Sequence, residues 1–353
     1  MENIQFLPSL AIDALCFITR CNDNEEWIPV SHNFEKDKII DNPLFREQFD
    51  QIEFFKKASC IQKFNHTYDI SSMALLFSAY TDNKLENTSL DDIIYILKNI
   101  DILEKIVKKR ITNDFNSSCT SSLIDILKSG MSVDMIDILH LMKENGFEHN
   151  YNKRILPFVK KDIELNKSKI EKYDTISLFS QIAKLKNKNA LPCIKIFITF
   201  FSLPYAFALY NGAFSMCYTG NTSIDFFSIT AHELMHGFAD NELIKMYHSY
   251  IESDEYLSEM HAKLHTQFGS GDEEEFVKAS EYYLCFLSGK YSREKLMMRA
   301  KAEYDGTCPI SVILFDLLLR EKNCPVNYNF WIKKQFSEKQ LPQSNIKEFI
   351  ENL

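Results

Sequence analysis

The chain has 353 residues and is 45% hydrophobic, enough for a large core and for two lobes. Forty Lys and Arg against 49 Asp and Glu leave a net charge of -9, and an acidic field draws in neither nucleic acid nor an anionic membrane surface. Nine cysteines are scattered without a CxxC pair, which speaks against a Cys-type zinc knuckle, an iron–sulfur cluster or a disulfide framework and predicts thiols in a reducing compartment.

The N-terminus carries Glu2 and no Lys or Arg before Arg20, and Asp13 interrupts its apolar stretch. No secretory signal is read there, and a cytoplasmic location is expected, although a dedicated secretion apparatus leaves weaker traces. Residues 90–110 place Ile93, Ile94, Ile96, Leu97, Ile100, Leu103 and Ile106 at near-helical spacing. Their basic end, residues 105–110, reads as a solvated helix terminus. Residues 121–144 repeat the pattern, with Gly130 predicting a break and Gly146 an end. No fixed period links these helices, so no solenoid is inferred. Together they predict a helical N-terminal lobe over residues 1–165.

Residues 160–189 are polar and rich in lysine, and a second lobe is expected over 166–353. Residues 196–210 are nearly all apolar but too few to span a bilayer, which takes about 20 in a helix, and Pro204 splits them. No membrane span is therefore predicted. The β-branched and aromatic run of 194–200 predicts buried strands instead. Strands are expected to about residue 218, then a turn at Gly220 and Asn221, a helix over 223–238, and further helices from Asp272 on. The class predicted is α+β, mostly helical, with a small mixed sheet.

The chemistry lies in the helical segment His232-Glu233-Leu234-Met235-His236. Helix positions four apart sit one above the other, so both imidazoles can reach one metal ion. Glu233, beside the first histidine, can then take a proton from a water that zinc acidifies. Phe227, Ala231, Leu234 and Phe238 form an apolar stripe that would anchor this helix. Composition alone produces such a motif by chance with odds of roughly one in fifty.

Residues 205–287 resemble the zincin metallopeptidases, in particular the gluzincin branch, in which a later glutamate is the third ligand. The resemblance implies a zincin-like lobe, a Zn2+ cofactor and a peptide or protein substrate. The metzincin extension is missing, since Ala239 and Glu242 stand where Gly and His are required. Two third ligands are candidates. Glu255 has the eighteen-residue spacing of many gluzincins, with Glu259 one turn on. Glu274, in Glu274-Glu275-Phe276-Val277-Lys278-Ala279, is similar to the third-ligand helix of lethal-factor-like and some bacterial zincin-like families. Glu274 is preferred, and Glu275 and Glu281 remain alternatives. The resemblance also implies an edge strand over 210–218, with Asn211, Gly212 and Ala213 binding extended substrate by β-addition.

His265, Tyr282, Tyr283 and Tyr304 are candidates to stabilise an oxyanion. His261 and His265 form a second i, i+4 pair, but no acid follows the first histidine, and they read as exposed helix residues. Two readings compete with a metallopeptidase: a binding protein braced by structural zinc, and a zinc hydrolase of a non-peptide substrate.

Overall fold

The computed structural model describes residues 4–22, 43–64, 70–112, 114–170, 174–202, 206–217, 226–268 and 271–353. The chain divides into two compact units. Residues 1–112, 116–169 and 192–224 form the first; 113–115, 170–191 and 225–353 form the second. It leaves the first unit at residue 169, near the expected boundary at 165, but returns for 192–224.

That return carries the sheet. Its order is β1 (Ile4–Pro8), β2 (Ile194–Thr199), β4 (Phe214–Cys217), β3 (Ala206–Ala208). β1 and β4 both run parallel to β2, and β3 is antiparallel to β4. The sheet is mixed, as predicted, but it belongs to the first unit and not to the unit of the HExxH segment. The cause is β1, which sequence reading passed over. With Phe6 its one buried side chain and Pro8 at its end, it shows no alternation to detect. β2 is flanked on both sides and almost wholly buried, which is why it reads as a continuous apolar run.

The first unit also holds α1 (Leu10–Asn22), α2 (Ile70–Thr81), α3 (Leu90–Lys98), α4 (Ile100–Arg110) and α5 (Ser132–Glu144). The expected helix of 90–110 is two helices that meet at Asn99, whose ψ of 49° leaves the helical region. α3 starts from a capping box between Ser89 and Asp92. The break expected at Gly130 is a π-helical turn, Leu127–Met131, in which that glycine takes a φ of 129°. Asp13 on α1 is fully buried. Its Oδ1 accepts hydrogen bonds from the amides of Phe200 and Phe201 at 2.6 and 2.8 Å, just past the end of β2.

The second unit is helical: α6 (Thr175–Leu185), α7 (Phe226–Met235), α8 (Asn241–Ile251), α9 (Glu255–Phe268), α10 (Glu274–Leu287), α11 (Arg293–Ala302), α12 (Pro309–Arg320) and α13 (Tyr328–Ser337). α10 is buried from Glu274 to Cys285 and packs against α7 on one side and α12 on another. The expected helix of 223–238 is shorter. Residues 223–225 lie outside the described set, as does the expected turn at Gly220 and Asn221, and α7 ends at Met235. Gly237 takes a φ of 77°, the left-handed geometry that ends helices. Among the described residues no helix is long and apolar enough to cross a membrane.

Candidate metal centre

α7 carries His232 and Glu233, and His236 follows its last helical residue. Its apolar face makes this placement firm: Phe227, Ala231 and Leu234 are buried. Lys186, just past α6, donates to the carbonyl oxygens of Leu234 at 2.9 Å and His236 at 2.7 Å, so the carbonyls at the helix end are bonded. Burial brings the Lys186 amine down to about 8.

The two histidines turn Nε2 toward each other, 3.2 Å apart. Glu274, at the first turn of α10, stands across from both. Its Oε1 is 3.7 Å from His232 Nε2, and its Oε2 is 3.9 Å from His236 Nε2. These three residues offer ligand atoms that all lie within 4.8 Å of one another. A tetrahedral zinc with bonds of about 2.0–2.2 Å holds its donors roughly 3.3–3.5 Å apart. The donor types and spacing therefore fit a divalent cation.

Glu255 is not part of this group. It lies exposed at the start of α9. Asn211, Gly212 and Ala213 are in the first unit, at the turn between β3 and β4, where Asn211 and Gly212 take φ values of 53° and 77°. The Ser78 hydroxyl accepts from the Tyr210 amide at 3.0 Å, and Asn83 donates to the Tyr210 carbonyl. β4 is hydrogen-bonded on both sides, to β2 and β3. The free strand edge expected over 210–218 is therefore not present at 214–217, because β2 and β3 occupy the two sides of β4.

Each imidazole is oriented through its other nitrogen. His232 Nδ1 is 3.1 Å from Glu281 Oε2, and His236 Nδ1 is 3.4 Å from Glu273 Oε2. Glu281 is bound in turn by Arg299 Nη2 at 2.9 Å, Lys278 Nζ at 3.1 Å and the Ser228 hydroxyl. Glu273 accepts the amides of Gly237, Phe238 and Ala239 at 2.8 to 2.9 Å. Such carboxylate–imidazole pairs fix the tautomer and raise the basicity of the ligating nitrogen. Tyr304 donates to Glu274 Oε1 at 3.0 Å. Its backbone φ of 50° is unusual for an aromatic residue and is the kind of strain that gathers at functional sites. Tyr282 donates to Glu303 at 2.5 Å instead.

Burial pushes every carboxyl here up, but the neighbours differ. At Glu281 the charges of Lys278, His232 and Arg299 win and hold it well below the usual carboxylate range. His236 and the capped amides lower Glu273, and His232 with Lys278 lowers Glu274. Burial prevails at Glu233, which is raised. It would also lower His236, but the surrounding carboxylates, Glu273 first, lift that ring to about 9. This concentration of negative charge also suits a bound cation.

Glu233 Oε2 is buried, and no described residue donates to it. Sequence reading weighed Glu281 only as a ligand, though it lies seven residues after Glu274 and so on the same helix face. It missed Glu273, Lys186 and Arg299, whose partners are remote in the chain. No family model, curated protein or solved structure matches this chain.

Proposed function

We propose that the chain is a zinc-dependent hydrolase of peptide bonds, with His232, His236 and Glu274 as ligands and Glu233 as general base. The observation that carries this reading is the Glu233 carboxylate. It adjoins a ligand, it is buried, and Oε2 has no donor among the described residues. An unpaired buried oxygen costs about 1–3 kcal/mol, a cost that a site bracing the fold has no reason to carry. The assignment to peptide bonds rests on the likeness of residues 205–287 to gluzincins, and the absence of disulfide spacing supports a reducing, cytoplasmic setting.

When bound, zinc supplies Lewis acidity toward water and toward a carbonyl oxygen. The chain's own residues do the rest. Glu281 and Glu273 hold the two imidazoles with Nε2 facing inward. Tyr304 orients the Glu274 carboxylate. Glu233 accepts the proton that water gives up and can return it to the leaving amine.

Glu233→Gln tests the proposal, because it keeps size and removes the base. The variant should hold as much zinc as the wild type and cleave a peptide library about 10²–10⁴-fold more slowly. Equal cleavage by both proteins would overturn the assignment.

A further inference from the structure

Three more histidines of the second unit converge on one carboxylate. α8 brings His248, α9 brings His261 and His265 one turn apart, and Asp272 sits just ahead of α10. His248 Nε2 is 3.1 Å from Asp272 Oδ2. The Nε2 atoms of His265 and His261 are 3.2 and 3.8 Å from Oδ1. The ligand atoms of His248, His261 and Asp272 all lie within 4.8 Å of one another. These separations bracket the roughly 3.3–3.5 Å between donors around a tetrahedral zinc.

A second observation points the same way. His261 Nδ1 is 3.3 Å from the Tyr247 hydroxyl oxygen, and Tyr247 donates its own proton to Glu275 Oε1 at 2.8 Å. Glu275 is held by the amides of Ile310 and Ser311 at 2.6 and 3.2 Å. With the phenol proton committed to Glu275, the phenol oxygen is left to accept from His261 Nδ1–H. The lone pair of that ring then lies on Nε2, the atom facing Asp272. A hydrogen bond that fixes the tautomer of a ligating imidazole is the usual outer support of a metal site. Reading His261 and His265 as exposed helix histidines missed this, because the carboxylate and the third imidazole come from other segments.

We propose that His248, His261 and Asp272 form a second site for a zinc-like divalent cation. Two imidazoles and a carboxylate are borderline-hard donors that suit zinc and its first-row neighbours. The cation ties α8 and α9 to the segment that opens α10, two residues before Glu274. This proposal stands apart from the hydrolase reading, since it uses none of the same side chains.

The test is a titration of chelator-stripped full-length protein with Zn2+ alone, with bound metal counted by mass spectrometry. Wild type should bind two ions per chain. His248→Gln/His265→Gln changes two partly exposed rings and should bind one, as should His232→Gln/His236→Gln, and combining all four changes should leave none. Tyr247→Phe should weaken the second ion about 10–100-fold and leave the first unchanged. Two ions in the His248→Gln/His265→Gln protein, or a single ion in wild type that only the His232→Gln/His236→Gln protein loses, would overturn the second site. Failure of the hydrolase site reads out separately, as an ion count that the His232→Gln/His236→Gln changes do not lower.

Discussion

Glu281 Oε2 lies 3.1 Å from His232 Nδ1 although 49 positions separate the two residues. The contact exists because α10 packs against α7 along its length, which puts the second turn of one helix beside the first histidine of the other. It turns His232 so that Nε2 faces His236 and Glu274.

Glu281→Gln should therefore weaken zinc binding about 10–100-fold, the usual cost of losing an outer carboxylate. The amide still fills the space, but it carries no charge to set against Lys278 and Arg299. Competition with a chelator of known affinity measures the effect. An unchanged affinity would show that His232 needs no such partner.

Glu274→Ala should lower zinc affinity by more than Glu281→Gln does, since it removes the proposed ligand and not its support. Glu255→Ala should leave affinity within error of wild type, because Glu255 is exposed and outside the cluster. The reverse order in the same competition assay would assign the ligand to Glu255.

Asp13 should impose a pH dependence on stability. Burial raises its carboxyl from 3.8 to about 7, against the amides of Phe201 and Phe200 and the Tyr151 side chain, which lower it. The folded chain then keeps a proton that the unfolded chain releases above pH 3.8. The stability this group contributes is complete below that pH and is lost as the pH rises to about 7, on the order of 4 kcal/mol at about 1.4 kcal/mol per pH unit. Asn in its place can still accept from both amides and does not ionise. Urea unfolding should show Asp13→Asn gaining on wild type between pH 4 and 7. A constant difference across that range would remove Asp13 as the cause.

Alkylation of the native protein should separate the cysteines by burial. Cys119 and Cys193 are exposed, and Cys60 and Cys324 are partly so, while Cys16, Cys21, Cys217, Cys285 and Cys308 are buried. Burial pushes the Cys217 thiol up to about 12 and those of Cys16, Cys21 and Cys308 higher still, so little thiolate forms there. Iodoacetamide with peptide mapping should mark Cys119 and Cys193 first and reach the five buried thiols only on unfolding. Early labelling of Cys308 would show that its surroundings open readily.

The sequence alone was enough to pair His232 with His236, because spacing along a helix is a local property that four residues determine. It could not choose between Glu274 and Glu255, since both are acids near helix starts and the difference is which helix packs on α7. The tertiary structure decided that, and it decided the sheet. β1 has too few buried residues to signal a strand, and it exists because β2 offers it an edge. The convergence of His248, His261, His265 and Asp272 was hidden for the same physical reason. Periodicity reports which residues share a face of one element, whereas a site built from three segments depends on how those elements pack.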